Sequence, residues 1–356
     1  MTMAVMGAGS LGIVVGALIT RSGQDVVLID VDEKNVEALN TKGARITGFL
    51  DITVPVRAIL PPQMEGLYDI VFLLTKQTYN DSALAALLPH LGPDSTVCTL
   101  QNGIPEESVA SRVGIARTIG GTVGFGATWR EPGVSMLTST LEALQSFGFD
   151  IGEIDGRLTP RLRRVQEALS AVGGCQVVDN LMPIRWSKLL MNATFSGVSA
   201  ALGCTFGDVL ENRDAMGFLS HVADETIKVA RAHGIRLAEM QGEDMELLEL
   251  EPGETVDGKM PFYRRVWSRH AKLKASMLQD LEKGRKTEIN QINGYVCQKG
   301  RAAGVKTPCN DFVVGLVTEA EATKTLPDFS DNLDRMRTCL GRVESQTAVH
   351  HRETAP

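Results

Sequence analysis

The sequence predicts an α/β protein with a second, all-helical domain at its C-terminus. Three observations lead there. Strands alternate with helices over roughly the first 180 residues, a G-x-G-x-x-G turn (Gly7, Gly9, Gly12) stands at the first strand–helix junction, and beyond about residue 181 only helical periodicity remains. Together they describe an N-terminal Rossmann dinucleotide-binding domain over residues 1–179 and a helical domain over 180–340.

The elements follow in order. MAVM is a short apolar strand entering the glycine turn, a helix runs to about Ser22, and VVLID is a second strand ending on Asp30. A charged helix ends near Gly43. The strand YDIVFLLT, a helix through LAALLPHLG and the strand TVCTLQNG come next, as in a parallel sheet covered on both faces. Between roughly 117 and 157 glycines cluster and short strands with tight turns are expected; RLTPRLRRVQEALSAVG reads as a helix and CQVVDN as a last strand. Residues 238–262 are acidic and carry Pro252, Gly253, Gly258 and Pro261, the marks of a loop-bearing insertion. The tail over 341–356 is polar and aperiodic and is expected to be disordered.

Each glycine of the turn has a physical task. Gly7 permits the turn, Gly9 lets the backbone approach a pyrophosphate, and Gly12 packs helix on strand. The segment Gly7, Ala8, Gly9, Ser10, Leu11, Gly12 then directs unpaired N–H groups of the helix start at phosphate. Asp30, about twenty residues on, can accept both hydroxyls of an adenosine ribose. The structural alternatives are a ligand-free turn and a helix-capping Asp30.

Composition narrows the partners. Hydrophobic residues make up 43% and charged residues 22% of the chain, and the formal charge is -7 with no basic block at the domain scale, which argues against nucleic acid and an anionic membrane surface. The glycines interrupt the first apolar run, and no later run reaches the length of a membrane span, so a cytoplasmic protein is expected. Six cysteines without CxxC spacing fit reduced thiols, and no metal site is expected.

The stretch RWSKLLMNATFS (185–196) is apolar apart from a few residues. At helical spacing Lys188, Asn192 and Ser196 would form one narrow polar row, with Lys188 the only charge between Arg185 and Asp208. A solvated amphipathic face usually holds several charges. A lone ammonium in an apolar setting is costly unless it has a task.

These blocks, GAGSLG, LLTKQTYND, TLQNG, PGVSMLTS, WSKLLMNA and ASMLQDLEKGRKTEINQINGYV, give a chain that resembles the ketopantoate reductases (2-dehydropantoate 2-reductases) over nearly its whole length. The resemblance implies NAD(P)H-dependent reduction of a small branched 2-oxo acid, ketopantoate foremost, to the 2-hydroxy acid. It implies a catalytic Lys188 with Glu288 beside it, cofactor contacts from Lys76, Asn102 and Gly126, and substrate contacts from Asn192, Ser196 and Ser276, and so assigns substrate binding and catalysis to the helical domain. An ammonium in a dry cleft both stabilises a developing alkoxide and donates its proton. By sequence alone Glu288 serves equally well in the first turn of a helix.

The chain departs from the family pattern at Ser196 and Leu273, where asparagines are usual, and at Phe206, where an Asn-Gly pair is usual. These fall on positions expected to face substrate. The run 263–276 places Arg265, Arg269, Lys272 and Ser276 on one face if helical, a cationic row leading to the substrate or a basic face neutralising the acidic insertion. At the cofactor, Asp30 followed by Val31 and Asp32 with no arginine favours NADH, with NADPH the alternative through Lys34. The expected partner is a small 2-oxo acid, and the chain is compatible with a homodimer. The competing activities are another hydroxy-acid, sugar-acid or opine-type dehydrogenase and, in a different class, a non-catalytic dinucleotide sensor.

Overall fold

In the computed structural model, which describes residues 1–240, 242–250 and 254–353, the chain divides into two units, Met1–Leu181 and Met182–Pro356. The first opens with β1 (Met3–Met6), α1 (Ser10–Arg21), β2 (Val26–Ile29) and α2 (Glu33–Lys42). Then come β3 (Ala44–Gly48), β4 (Ile52–Val54), β5 (Arg57–Ile59), β6 (Ile70–Leu73), α3 (Asn80–Leu87), β7 (Thr96–Thr99) and α4 (Glu106–Val113). β8 (Thr118–Val123), β9 (Ala127–Glu131), β10 (Val134–Leu137), α5 (Leu141–Phe147), β11 (Phe149–Glu153), α6 (Pro160–Ser170) and β12 (Cys175–Val177) complete the unit.

The main sheet has eight strands in the order β12-β11-β8-β7-β6-β1-β2-β5. All its neighbours are parallel except β11 against β8. Because strand side chains alternate, β1 sends Met3 and Val5 into one core and Ala4 and Met6 into the other. Helices α1 and α6 cover the first face and α3 and α4 the second.

A second sheet of four strands, β4-β3-β10-β9, lies over α1. It explains why α1 is buried along its whole run from Gly12 to Ile19, as a helix enclosed between two sheets must be. Strands β3 to β5 and helices α4 and α5 were not expected from the sequence. β4 and β5 have three residues each, too short for a period to show, and β3 is defined by pairing with β10 some ninety residues later.

The second unit comprises α7 (Met182–Met191), a π-helical turn (Asn192–Ser196), α8 (Gly197–Leu202), α9 (Phe206–Glu211), α10 (Arg213–Ala232), α11 (Val256–Trp267), α12 (Ser276–Glu282), α13 (Asn293–Ala303), α14 (Pro308–Thr323) and α15 (Phe329–Glu353). The twenty-residue α10 is its axis, packing against α7, α9, α11, α13, α14 and α15. Of the tail expected to be disordered over 341–356, residues 341–353 are helical and 354–356 lie outside the described residues. α15 runs on, since a formed helix propagates cheaply through Arg, Glu, Gln and Ala with no breaker beyond Gly341.

The expected insertion is only partly a loop. Gly258 and Pro261 belong to α11, while Pro252 and Gly253 lie outside the described residues. Pro261 is tolerated because the carbonyl it leaves without a donor is that of Asp257, in the exposed first turn. The segment before α11 is fastened by charge: Arg231 to Glu249, Arg265 to Glu243 at 2.5 Å, and the Leu250 amide to Asp224 at 3.0 Å. Among the described residues no helix is long and apolar enough to cross a membrane.

A buried carboxylate ties α10 to α14. Glu225 accepts the amides of Cys309 (2.8 Å) and Asn310 (2.9 Å) at the start of α14 and the Asn310 side-chain amide (2.8 Å). Burial outweighs these donors and pushes its pKa up to about 7. An acid whose folded pKa exceeds its unfolded one contributes stability at low pH that is lost as pH rises, here between about 4.5 and about 7. Thermal melts of wild type and Glu225→Gln across that window should therefore show wild type losing ground to the variant as pH rises, by at most about 3 kcal/mol. A difference constant with pH would mean that the three donors keep Glu225 ionised throughout.

Candidate functional site

Within the first unit the glycine turn is built by close backbone approach. Gly7 adopts φ +100°, and a Cβ on it would meet the Thr75 amide at 2.7 Å. A Cβ on Gly12 would overlap the Gly7 carbonyl oxygen, so helix and strand can only meet here through glycine. Gly9 behaves differently: it is exposed, it is the N-cap of α1 with no side-chain cap, and nothing lies within 4 Å of where its Cβ would be. The first amides of α1 are thus left for an external acceptor, beside a surface that must stay smooth. These residues fit a dinucleotide pyrophosphate.

Asp30 stands at the end of β2. Its carboxylate accepts the Asp32 amide at 3.0 Å and faces the amides of Ala8 and Val31. Burial raises its pKa, the amides oppose that rise, and the Asp32 carboxylate adds to it. Asp32 itself caps α2, taking the amides of Lys34 and Asn35. Lys34 is exposed on the first turn of α2 and forms no ion pair with Asp30 among the described residues.

The turn has a brace the sequence reading missed. Asn35, buried in α2, donates to the Ala8 carbonyl (2.9 Å) and accepts the Gly133 amide (2.8 Å) from the β9–β10 turn; Ser135 on β10 donates to the Ser10 carbonyl (2.8 Å). No periodicity marks Asn35, which sits in a helix read as merely charged.

A second loop pair forms beyond β6 and β7. Gln77 donates to the Asn102 carbonyl (2.5 Å), and Gln101 donates to the Thr75 carbonyl (2.8 Å) and to Asn80 (2.6 Å). Lys76, half-buried, leads the short 3-10 turn Gln77–Tyr79. Lys76 and Asn102 are thereby held on one rigid rim. The polar Gln101 after an apolar strand was the available signal for this network. Gly126 lies between β8 and β9, fixed by Ser139 (2.9 Å) and Thr138 (2.9 Å) rather than by the glycine turn.

In the second unit, Lys188 lies half-buried on α7 between the buried Ser187 and Leu189. Asn192 and Ser196 bound the π-helical turn, in which the Gly197 amide reaches the Asn192 carbonyl. This corrects the single row expected from i, i+4, i+8 spacing. An i→i+5 turn holds an extra residue, so Ser196 is set back from the row that Lys188 and Asn192 define. The Asn192 Nδ2 is a buried donor with no acceptor among the described residues.

α12 packs on the π-turn and on α8, with Ser276 exposed as its first residue. Glu288 is buried and leads the 3-10 turn Ile289–Gln291, its carbonyl accepting the amides of Gln291 (2.9 Å) and Ile292 (3.0 Å), and it is not in the first turn of a helix.

Two further expectations are revised. Phe206, expected at a position facing substrate, is 6% exposed and packs in an aromatic cluster, its ring 5.5 Å from Phe195 and 5.7 Å from Trp267. The run 263–276 does not form one cationic row to Ser276; the pairing of Arg265 with Glu243 agrees instead with the other reading, basic residues neutralising the acidic insertion. α11 ends at Trp267, Arg265 pairs with Glu243 in the insertion, and Lys274 pairs with Glu282 at 2.6 Å. Leu273 is 48% exposed, and its carbonyl receives the Phe206 amide at 3.1 Å.

Comparison with known proteins gives a consistent answer. The family model "Ketopantoate reductase PanE/ApbA" matches residues 3–148 and its C-terminal companion matches residues 180–321. A 2-dehydropantoate 2-reductase of Archaeoglobus fulgidus is 29% identical over 89% of this chain and 97% of its own. A solved ketopantoate reductase of this family from Ralstonia eutropha superposes with a TM-score of 0.78 at 25% identity, covering 91% of this chain and 99% of its own. D-mandelate dehydrogenase, solved with NADH and anilino(oxo)acetate, has a TM-score of 0.78 at 24% identity over 92% of this chain and all of its own, a likeness of fold.

The glycine geometry separates binding from folding. Gly9→Ala should keep its Tm within about 2 °C, because its Cβ enters open space, yet weaken dinucleotide binding on the order of tenfold or more by standing between backbone and pyrophosphate. Gly12→Ala should instead lose about 1–3 kcal/mol of stability through overlap with Gly7. Fluorescence titration with thermal melts distinguishes the two, and unchanged dinucleotide affinity in Gly9→Ala would place the phosphates elsewhere.

Proposed function

The chain belongs to the ketopantoate reductase family, and on that premise we propose that it reduces a small branched 2-oxo acid to the 2-hydroxy acid, with ketopantoate the substrate and pantoate the product. The reading rests above all on one observation: Lys188 stands half-buried on α7 between the buried Ser187 and Leu189, one turn ahead of Asn192, whose Nδ2 has no acceptor among the described residues. When bound, the reduced dinucleotide supplies the hydride. Lys188 donates the proton to the carbonyl oxygen and stabilises the charge that develops there. Asn192 donates to a substrate oxygen, which removes the cost of a buried donor without an acceptor. Ser276 offers a hydroxyl from the adjoining α12, and Glu288 keeps the lysine charged and oriented. Ser196, set back by the π-turn, contributes a smaller polar surface than the amide usual in the family.

We also propose NADH as the preferred cofactor. Asp30 occupies the end of β2 beside the glycine turn, with Asp32 near enough to raise its pKa. The 2′-phosphate of NADPH would bring nearly two more negative charges to that place, against which the compensation the sequence offers is exposed Lys34 on the first turn of α2.

Both parts are tested by steady-state kinetics. Lys188→Ala should lose about 10²- to 10⁴-fold in kcat with ketopantoate while binding dinucleotide normally; wild-type turnover in that variant would remove Lys188 from the chemistry. Wild type should favour NADH in kcat/KM by about ten- to hundredfold after screening, and Asp30→Ala should shrink that ratio. Equal use of NADPH by wild type would show that Asp30 does not meet the ribose.

A further inference from the structure

A π-helical turn inside a helix displaces one set of backbone hydrogen bonds, and when buried it must find other partners. Here they are side chains. Since the Gly197 amide goes to Asn192, the Ala193 carbonyl is served by Asn293 Nδ2 at 3.0 Å, while the Thr194 hydroxyl serves the carbonyls of Leu190 (2.7 Å) and Met191 (3.2 Å). Asn293 is fully buried at the start of α13, and its Nδ2 also donates to Asn310 Oδ1 at 3.0 Å. Asn310 is oriented in turn, its Nδ2 donating to Glu225 at 2.8 Å. Each amide can therefore face only one way: the carboxylate accepts, so Asn310 presents its oxygen to Asn293, and Asn293 presents its nitrogen to the π-turn.

We infer that Asn293, held by Asn310 and Glu225, is a positioning residue for the reaction: it maintains the π-turn and so sets the direction of Asn192 and of Lys188 one turn before it. The inference rests on Lys188 being the proton donor. Its physical basis is the alternative open to the helix. Without the Asn293 amide, the Ala193 carbonyl recovers a partner by taking back the Gly197 amide, the turn tightens to α, and residues on either side rotate relative to one another. Gly197 is already part of this geometry, since a Cβ there would come within 2.5 Å of Asn293 Oδ1.

Two variants reach the same contact from opposite sides. Asn293→Ala removes the amide; Gly197→Ala presses it away without deleting any polar group, and alanine favours a helix over glycine, so lost activity is not lost helix propensity. Each is measured for kcat and KM with ketopantoate, for the stoichiometry and Kd of NADH, and for Tm, with turnover expressed per NADH-binding site. Both should lose about 10²-fold in kcat at full NADH stoichiometry and unchanged Kd, the scale of a misplacement of about 1 Å. A purely structural role would lower the folded fraction and leave turnover per site intact. In the Lys188→Ala background Asn293→Ala should cost clearly less than in wild type, because one of the two groups being aimed is gone. Wild-type turnover in both folded variants, or an equal loss with and without Lys188, overturns the inference. If Asn293→Ala does not fold, Gly197→Ala decides alone. Wild-type turnover in Lys188→Ala by itself would instead overturn the assignment of the proton donor.

Discussion

The dinucleotide-binding turn depends on the approach of Gly12 to the carbonyl of Gly7, where a Cβ would overlap the oxygen, and the geometry around it follows from that approach. Helix α1 can begin where it does only because neither residue carries a side chain. Once it does, its first amides emerge beside the open position of Gly9. The same placement brings the end of β2, and with it Asp30, against the amide of Ala8. The four-stranded sheet then closes over α1, and Asn35 and Ser135 hold the turn in place by hydrogen bonds to its carbonyls. The enclosure of α1 between two sheets makes the turn rigid, and a rigid array of donors costs little to bring to an anion.

The helical unit solves a different problem. Its axis, α10, is buried along most of its length but carries Glu225, and a carboxylate in such a place is tolerated only with donors around it. Those donors come from the start of α14, whose first amides have no partners within their own helix. The arrangement passes through Asn310 and Asn293 to the π-turn, so a polar thread crosses an apolar unit. The aromatic cluster of Phe195, Phe206 and Trp267 packs the same region without any directional demand. Packing of that kind fills space; the hydrogen bonds choose one backbone conformation.

Asp30 and Glu225 make an instructive pair. Both have pKa values raised chiefly by burial, and both accept backbone amides that work against the rise. Asp30 keeps a partly open edge and has a second carboxylate beside it. Glu225 is closed off by three protein donors and serves the architecture. The difference lies in exposure: Asp30 is partly open, Glu225 buried.

Much of this was legible in the sequence because it is local. Gly7, Gly9, Gly12 and Asp30 declare themselves by spacing after short apolar strands, and Lys188 by being the only charge between Arg185 and Asp208. The blocks around Lys188 and Glu288, behind the glycine turn, carried the family. What was illegible depends on partners distant in the chain. β3 is a strand because β10 lies beside it, Asn35 is a brace because Gly133 reaches it, and Phe206 is core because Phe195 and Trp267 surround it. The run from Arg265 to Ser276 reads as one face if helical, but α11 ends at Trp267 and Arg265 turns to Glu243. The π-turn is the sharpest case. NATFS has nothing in it that forbids an ordinary helix, and the extra residue is held by an asparagine one hundred positions later. Periodicity records what a segment prefers alone; where a buried carbonyl finds its donor is decided only when the chain has folded.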